Sequence, residues 1–369
     1  MNLALVYDRT NKLGGAERVL KALHEIYPKA PLYTAVYNPQ KAGWTKGWDV
    51  RVSFLNRLPL ARSTHELYPW LTPMAFESLD FSDFDIVISV TSADAKGILT
   101  KPSTLHVCYV LTPTRYLWSD RELYQKEIPR ILRPLTKPIF SYLTNWDKIA
   151  SQRPDFLVAI SKAVQTRIKT YYNREADVIY PPVEVEAFGK RKEGTISVRD
   201  YFLVVSRLVP HKRLDLAIQA ANALRLPLVI VGTGLQAGKL NRIAGPTVTF
   251  VGQLTDEKLV LYYQKCRALI FPQEEDFGLS VVEAQAAGKP VIAYNGGGAT
   301  EIIRAGKTGI FFSQQKVESL VNALKGFRES AFDPTACKQN AKRFDKKRFI
   351  NEFGGKIGEL WKKHQDILK

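Results

Sequence analysis

Short apolar runs alternate with longer helical patterns along this chain, and the alternation starts again near its middle. A run that is apolar at every position is typical of a parallel strand buried on both faces, and a helix between two such strands makes a βαβ unit. The predicted strands are Leu3–Tyr7, Asp85–Ser89, Leu105–Val110 and Phe156–Ser161, then Tyr201–Ser206, Leu228–Val231, Val248–Val251, Ala268–Phe271 and Pro290–Ala293. The pattern predicts an α/β fold of two doubly wound domains, with the ligand site in the cleft between them.

The boundary between the predicted domains lies at a pair of prolines. The apolar run that begins at Val178 meets Pro181 and Pro182, which cannot continue a strand ladder, and a charged stretch with glycines follows. We therefore place the N-terminal domain at residues 1–182 and the C-terminal domain at residues 183–347. The tail, residues 348–369, has a helical pattern with one apolar side, and we expect it to pack against the N-terminal domain.

The charge balance restricts the partners of the chain. Lys and Arg total 53 against 36 Asp and Glu, which leaves a net charge of +17. Such an excess indicates a polyanionic partner: nucleic acid, an anionic lipid surface or phosphorylated small molecules. No segment is typical of a helix-turn-helix, a zinc finger or an RNP motif, so nucleic acid is not expected. A non-enzymatic basic protein that binds a membrane or nucleic acid is kept as an alternative.

Three features of the composition concern location. The cysteines number 3 in 369 residues and are far apart, so a disulfide framework is not expected. We therefore expect the protein in a reducing compartment. The first residues lack the basic region of an export signal. No apolar stretch approaches the roughly 18 to 20 residues that span a bilayer. The sequence therefore predicts a cytoplasmic protein, peripheral on the inner face of the cytoplasmic membrane.

The most informative segment joins an apolar strand to a helix through an acidic turn, at residues 271–284. A helix that starts just after Gly278 offers free N–H groups and a positive dipole end to an anion such as a diphosphate. The carboxylates of Glu274–Asp276 beside it suit the hydroxyl groups of a sugar or ribose. Ser280 and Glu283 also have the spacing of a capping box, which is the structural alternative for Glu283.

Glu275 and Glu283, with Phe277 and Gly278 between them, resemble the E-x7-E signature of family-4 retaining glycosyltransferases of the GT-B fold. The resemblance extends over nearly the whole chain, in a pattern similar to bacterial O-antigen and exopolysaccharide mannosyltransferases. It implies two Rossmann-like domains that face a central cleft. It also implies that Glu275 contacts the donor sugar, that Glu283 contacts the ribose, and that the backbone amides of Phe277, Gly278 and Leu279 hold the sugar phosphate.

A second motif follows the first strand of the second half. Arg207 and Lys212 lie on the loop after Val204–Val205, where both cations can converge on a diphosphate, although a solvated basic loop would look the same. The resemblance implies that this loop neutralises the leaving nucleoside diphosphate and that Gly252 lies where the base is contacted. No Asp-x-Asp lies at the carboxyl end of a predicted strand, and no histidine cluster has ligand spacing. No metal or cofactor is therefore expected.

Two N-terminal segments are expected on the acceptor side. Gly14 and Gly15, between the first strand and the first helix, permit close approach of a phosphate or an acceptor, and they also resemble the family's G-G-x-E loop. Leu111, Thr112 and Arg115 lie in a stretch that resembles a family segment reading C-Y-x-H-T-P-x-R-Y. Leu111 stands where those relatives have histidine, and leucine neither donates nor accepts a hydrogen bond.

Taken with the resemblance, these motifs predict a retaining, metal-independent hexosyltransferase of surface polysaccharide synthesis. The donor favoured is a GDP-sugar, with mannose as the sugar and a UDP-sugar as the next choice. The expected acceptor is a saccharide or is linked to a lipid diphosphate. Two segments that interleave basic and apolar residues, Phe54–Arg62 and Arg130–Phe140, are candidates for contact with an anionic membrane. The oligomeric state is left open.

Two other enzyme classes were considered. A sugar-nucleotide epimerase of the same fold remains an alternative, because it would bind the same donor. The segment Gly232–Ala237 matches the spacing of a dinucleotide fingerprint, but an oxidoreductase also needs an acidic residue at the end of the next strand. That strand ends in Val251-Gly252-Gln253, without one.

Overall fold

The computed structural model describes residues 2–128, 130, 133–190, 192–194, 196 and 198–368. The chain divides into two compact units: unit 1 comprises Met1–Pro181 and Phe349–Lys369, and unit 2 comprises Pro182–Arg348. Within the described residues, no helix is long and apolar enough to cross a membrane.

Unit 1 is built on a parallel sheet that has seven strands within the described residues, in the order β3-β2-β1-β4-β5-β6-β7. The strands are β1 Leu3–Tyr7, β2 Leu32–Thr34, β3 Val50–Val52, β4 Ile86–Thr91, β5 Leu105–Val110, β6 Phe156–Ala159 and β7 Asp177–Val178. The helices are α1 Gly15–Ile26, α2 Thr72–Glu77, α3 Arg121–Glu127, α4 Arg133–Ala150 and α5 Lys162–Tyr172. The strand order reverses between β1 and β4, which pair directly.

Unit 2 has a second parallel sheet, with six strands in the described residues and the order β10-β9-β8-β11-β12-β13. The strands are β8 Phe202–Val205, β9 Leu228–Val231, β10 Val248–Gly252, β11 Ala268–Phe271, β12 Val291–Tyr294 and β13 Gly309–Phe312. The helices are α6 Val185–Gly189, α7 Leu214–Leu224, α8 Ala237–Ile243, α9 Asp256–Lys265, α10 Leu279–Ala286, α11 Ala299–Ile302, α12 Val317–Gly326 and α13 Pro334–Ala341. Here the order reverses between β8 and β11.

The last helix, α14, runs over Lys346–Leu368. From Phe349 onward it belongs to unit 1, where its apolar side is buried. The rings of Phe349 and Phe353 stack on each other with centroids 5.3 Å apart, and both meet the ring of Tyr109 on β5 edge-on. The C-terminal helix therefore completes the core of the unit that the chain left at Pro181.

The predicted strands all occur, with ends displaced by at most two residues. The sequence did not predict β2, β3 or β13, because strands of three or four residues are too short to show a period. The apolar run that begins at Val178 contributes only that residue to β7. The prolines that follow lack the N–H group that a ladder needs.

Candidate functional site

The loops after β8 and β11 leave the sheet of unit 2 at the point where its strand order reverses. Doubly wound sheets bind ligands at the carboxyl ends of the strands at this position. Lys212 ends a short 3-10 turn after β8, and Glu275 lies on the acidic loop after β11. The Lys212 ammonium and the Glu275 carboxylate form an ion pair, with side chains 10% and 18% exposed. Arg207 lies on the same loop as Lys212 and is exposed.

A glycine-rich loop after β12 packs against the backbone of the acidic loop. The Gly298 N–H donates a hydrogen bond to the Glu275 carbonyl over 2.8 Å. Gly297 has a φ of +59°, and a Cβ at that position would lie 2.3 Å from the same carbonyl oxygen. Only glycine permits this approach, so the loop after β12 fixes the position of Glu275.

The N-terminus of α10 lies directly after Glu275. Gly278 precedes the helix with a φ of +112°, and the ring of Phe277 is buried against Phe344 with centroids 5.4 Å apart. The Val281 N–H donates a hydrogen bond to the Gly278 carbonyl over 3.0 Å, which closes the first turn of the helix. The N–H groups of Leu279 and the next residue therefore precede the helical ladder and are suited to an anion.

Glu283 is buried and is bonded to the neighbouring helix α9. It is 4% exposed, and its carboxylate accepts a hydrogen bond from the Tyr263 hydroxyl over 2.7 Å. Gly278 caps α10 without any side-chain hydrogen bond, so the interpretation of Ser280 and Glu283 as a capping box is wrong. Sequence reasoning missed Tyr263, because no pattern connects a residue of α9 with one of α10.

Two further residues of unit 2 bear on the site. Gly252 ends β10 with a φ of +71°, and apart from its chain neighbours no atom of the described residues lies within 4 Å of the point where a Cβ would be, so the space beside it is open. Gln273, which follows β11, is 3% exposed, and its side-chain oxygen has no hydrogen-bond partner among the described residues. No pattern in the sequence predicts this buried amide.

The glycine pair of unit 1 lies at the start of α1 beside an acidic residue. Gly14 precedes the helix and Gly15 is its first residue. Glu17 is 1% exposed, and its carboxylate accepts a hydrogen bond from the Tyr7 hydroxyl over 2.8 Å. A Cβ at Gly14 would lie 3.1 Å from the other carboxylate oxygen of Glu17. An anion bound at this loop would therefore face a carboxylate as well as the free N–H groups of the helix.

The three predicted acceptor-side residues follow β5. Leu111 continues the strand, with its N–H bonded to the Thr91 carbonyl over 2.8 Å. Thr112 is buried, and Arg115 forms an ion pair with Asp120 over 3.4 Å. The three residues thus lie on one loop, but at different depths.

A buried ion pair between α4 and the turn after β4 also anchors this loop. The Lys96 ammonium and the Asp147 carboxylate are 2.5 Å apart, and both side chains are at most 1% exposed. Thr114 and Trp118 also donate hydrogen bonds to Asp147, over 2.7 and 2.8 Å. Burial lowers the pKa of Lys96, but the charge of Asp147 opposes this and the net pKa is raised. Lys96 is therefore a cation inside unit 1.

The two segments proposed for membrane contact differ in how far they are described. Phe54 and Leu60 are 40% and 68% exposed, and Arg57 and Arg62 are exposed as well. In the segment Arg130–Phe140, Ile131 and Leu132 lie outside the described residues. In the described part of the chain, no group of three His, Cys, Asp or Glu residues could hold a metal ion.

One family model and several curated proteins match the part of the chain that carries this site. Residues 185–344, nearly all of unit 2, match the family described as Glycosyl transferases group 1. The chain is 26% identical to O-antigen chain mannosyltransferase C of Escherichia coli, over 54% of this chain and 55% of that protein. It is 28% identical to a GDP-mannose-dependent phosphatidylinositol monomannoside mannosyltransferase of Mycobacterium tuberculosis, over 46% of this chain and 51% of that one. The chain thus spans about half the length of these curated relatives.

Solved structures resemble the chain over nearly its whole length. HepE of Anabaena, crystallised with UDP-glucose, superposes with a TM-score of 0.71 at 18% identity, over 97% of this chain and 100% of that one. A sucrose-phosphate synthase of Thermosynechococcus elongatus superposes with a TM-score of 0.75 at 15% identity, over 98% and 99%. At this identity the likeness shows the fold, which is GT-B.

Proposed function

We propose that this protein is a glycosyltransferase that moves a hexose from a nucleoside diphosphate sugar to an acceptor, because residues 185–344 match the family described as Glycosyl transferases group 1. The observation that carries the proposal is the pairing of Lys212 with Glu275 at the reversal point of the unit 2 sheet. There a cation, a carboxylate and the start of α10 lie together. A sugar diphosphate needs these groups: positive charge for the phosphates and a carboxylate for the sugar hydroxyls.

The chemistry follows from where charge develops. As the bond between sugar and phosphate breaks, negative charge accumulates on the leaving diphosphate. Lys212, Arg207 and the N–H groups at the start of α10 stabilise that charge. The leaving phosphate takes the proton of the attacking hydroxyl on the same face, so the anomeric configuration is retained. Because these groups supply the positive charge, we propose that transfer needs no divalent metal.

For the donor we propose a GDP-sugar with mannose as the hexose, and a UDP-sugar as the next choice. Support for GDP-mannose comes from the relative in M. tuberculosis, which is named as dependent on it. Support for UDP comes from HepE, whose structure holds UDP-glucose. Gly252 and the open space beside it lie on the same sheet edge, where we place the base.

For the acceptor we propose a saccharide, free or linked to a lipid diphosphate, in the synthesis of a surface polysaccharide. The E. coli relative is named for the O-antigen chain. The net charge of +17 and the exposed apolar and basic residues of Phe54–Arg62 suit an anionic membrane on the cytoplasmic side, where such an acceptor would be held.

The donor is tested with a thermal-shift panel of GDP, UDP, ADP and their common sugar conjugates. The proteins are the wild type, Arg207→Ala and Lys239→Ala, an exposed lysine of α8 that serves as a matched control. A ligand at a hundred times its dissociation constant stabilises the folded state by about 2.7 kcal/mol. We expect one nucleotide class to raise the melting temperature of the wild type and of Lys239→Ala, but not of Arg207→Ala. No shift with any nucleotide would contradict the proposal.

The reaction class is tested with the nucleotide sugar that binds. A transferase incubated without acceptor releases the free sugar slowly, and EDTA leaves that rate unchanged. Release of an altered nucleotide sugar would instead identify an epimerase.

Membrane contact is tested by sedimentation with vesicles of phosphatidylcholine, with and without phosphatidylglycerol. Arg57→Ala/Arg62→Ala is compared with Lys239→Ala/Lys258→Ala, which removes the same charge from exposed positions of unit 2. At about 1 kcal/mol per cation, the first pair should weaken binding to anionic vesicles roughly 30-fold, and the second should not. Equal losses would show that only the net charge matters.

A further inference from the structure

The loops that carry Lys212 and Glu275 leave the sheet of unit 2 at neighbouring strands, β8 and β11. In the structure the ammonium and the carboxylate pair with each other. Binding of a sugar diphosphate would redirect the two groups, the cation to the phosphates and the carboxylate to a hydroxyl group. Once the ion pair has opened, the two loops keep their separation only if a contact that involves neither side chain holds them.

Gln315 makes such a contact with the loop after β11. It lies between β13 and α12, and its side-chain N–H donates a hydrogen bond to the Pro272 carbonyl over 2.9 Å. β11 pairs with β12 as far as Phe271, so the carbonyl of the buried Pro272 lies just beyond the ladder. Buried carbonyls are normally hydrogen-bonded. The Gln315 amide therefore supplies the donor that a longer strand would have supplied, three residues before Glu275.

The backbone of the same residue contacts the loop after β8. The Arg213 guanidinium donates a hydrogen bond to the Gln315 carbonyl over 3.4 Å, and it also bonds to the Asp215 carboxylate over 3.3 and 3.4 Å. Arg213 has a φ of +50°, a left-handed conformation that few residues other than glycine adopt. These side-chain contacts favour the turned backbone, and Lys212 immediately precedes it. Gln315 thus links the two loops that carry the paired charges.

We infer that Gln315 is a positioning residue that holds the loop of Lys212 at a fixed distance from the loop of Glu275. The inference rests on the proposed function, in which Lys212 stabilises the charge that develops on the leaving diphosphate. A misplacement of about 1 Å in such a site can lower the rate by roughly a hundredfold. Gln315 follows β13, which is two strands away from β11 in the sheet, and it acts through the loops rather than on the donor.

The experiment measures sugar release by the full chain with the nucleotide sugar that the thermal-shift panel identifies. Gln315→Met keeps an unbranched side chain of similar size but has no N–H to donate. Gln314→Met is the matched control, because Gln314 is exposed and its side chain makes no hydrogen bond within the described residues. Each substitution is made in the wild type and in Lys212→Ala, which completes a double-mutant cycle.

We expect Gln315→Met to lower kcat roughly tenfold with little change in KM, because Arg207 and the start of α10 still hold the donor. In the Lys212→Ala background the same substitution should change kcat less than about twofold, since the cation that it positions is gone. Gln314→Met should keep the rate of its parent in both backgrounds.

A Gln315→Met effect of equal size in the two backgrounds would overturn the inference, because a loss of folded enzyme lowers both rates by the same factor. A Gln315→Met variant with the wild-type kcat would overturn it as well. A wild type that releases no sugar would instead contradict the proposed function.

Hydrogen exchange followed by mass spectrometry tests the inference without any turnover. The N–H groups of Lys212 and Arg213 each donate a hydrogen bond of 3.1 Å within the turn after β8. Loss of one neutral hydrogen bond changes an opening equilibrium roughly fivefold, so peptides that cover this turn should exchange about that much faster in Gln315→Met than in Gln314→Met. Equal exchange would overturn the inference and leave the proposed function untouched, so the two failures are distinguishable.

Discussion

Lys212 and Glu275 show how much of this site depends on single side chains. Lys212, taken as a whole residue, is 8% exposed, and lysines are seldom so buried unless they are paired. Its partner is the carboxylate of Glu275. Glu283, in the second turn of α10, is also buried but has the Tyr263 hydroxyl as its donor. Two glutamates at E-x7-E spacing thus have different partners, a cation for one and a neutral hydroxyl for the other.

Removing the Lys212 cation should affect the rate more than the binding of the donor. Its charge opposes the negative charge that develops on the leaving diphosphate, and loss of such a donor costs about 3 kcal/mol, or roughly a hundredfold in rate. Initial rates of sugar release should therefore show Lys212→Ala lowered in kcat to about that extent. Lys239→Ala should keep the wild-type rate. A Lys212→Ala variant with an unchanged kcat would remove Lys212 from the mechanism.

The Tyr263 hydroxyl should matter for stability. Tyr263→Phe leaves the buried Glu283 carboxylate without this donor, and an unsatisfied buried acceptor costs about 1 to 3 kcal/mol. Tyr262→Phe removes the hydroxyl of the neighbouring, half-buried residue of the same helix, and that hydroxyl makes no hydrogen bond within the described residues. Urea unfolding should show a loss for the first variant and almost none for the second. Equal losses would mean that the bond to Glu283 is energetically unimportant.

At the scale of elements, the loops at the strand ends carry the site and the sheets only position them. The glycines of the loop after β12 lie against the backbone of the loop after β11. The two loops therefore stabilise each other's position. This contact is made by backbone atoms. The contact requires a residue without a side chain at position 297, because a Cβ there would displace the loop that carries Glu275.

A matched pair of glycine variants separates this contact from backbone strain. Gly297 and Gly306 have positive φ angles of +59° and +72°. A Cβ would clash with the Glu275 carbonyl at Gly297, whereas at Gly306 it would meet no other described residue within 4 Å. Both alanine variants should lose about 1 kcal/mol of stability from the φ angle alone. Gly297→Ala should lose more and should also lose sugar-release activity. If the two variants behave alike, the loop does not position Glu275.

At the scale of the whole molecule, the net charge of the chain differs from the charge balance inside unit 1. The chain carries +17, and yet the interior of unit 1 holds carboxyls and cations in balance around Asp94. The surface charge governs association with anions, whereas the buried groups make stability depend on pH. These two consequences can be measured separately, because salt screens the surface charge far more than the interior.

The stability of the protein should fall as the pH rises from about 4 to about 7, through Asp94. Burial raises its pKa from 3.8 to about 7, so in this range the folded state keeps a proton that the unfolded state has lost. The contribution is full below the unfolded pKa, is lost through the folded pKa and is constant above it, with a total on the order of a few kcal/mol. Asp94→Asn does not titrate. Its melting temperature relative to the wild type should therefore rise between pH 4 and pH 7, and a constant difference would show that Asp94 is ionised throughout.

Much of the fold was predictable because its strands are buried on both faces. β1 and β5 are apolar at nearly every position and were predicted to the residue. The positions of Arg207, Lys212 and Glu275 at strand ends were predictable for the same reason, since a loop begins where the apolar run stops. β2, of three residues, is too short for its pattern to distinguish it from a loop.

What the sequence alone determined is therefore local: where strands and helices lie, that two parallel sheets form, and which charged residues stand at strand ends. The partners of those residues were decided by the tertiary structure. The Tyr263 hydroxyl donates a hydrogen bond to Glu283, and the Asp94 N–H donates one to the Asp8 carboxylate. Both contacts arise because packing brings together segments that are distant in the chain. The strand period carries no information about such contacts. The pKa of Asp94 is likewise set by burial and by neighbouring charges, which exist only once the sheet has formed.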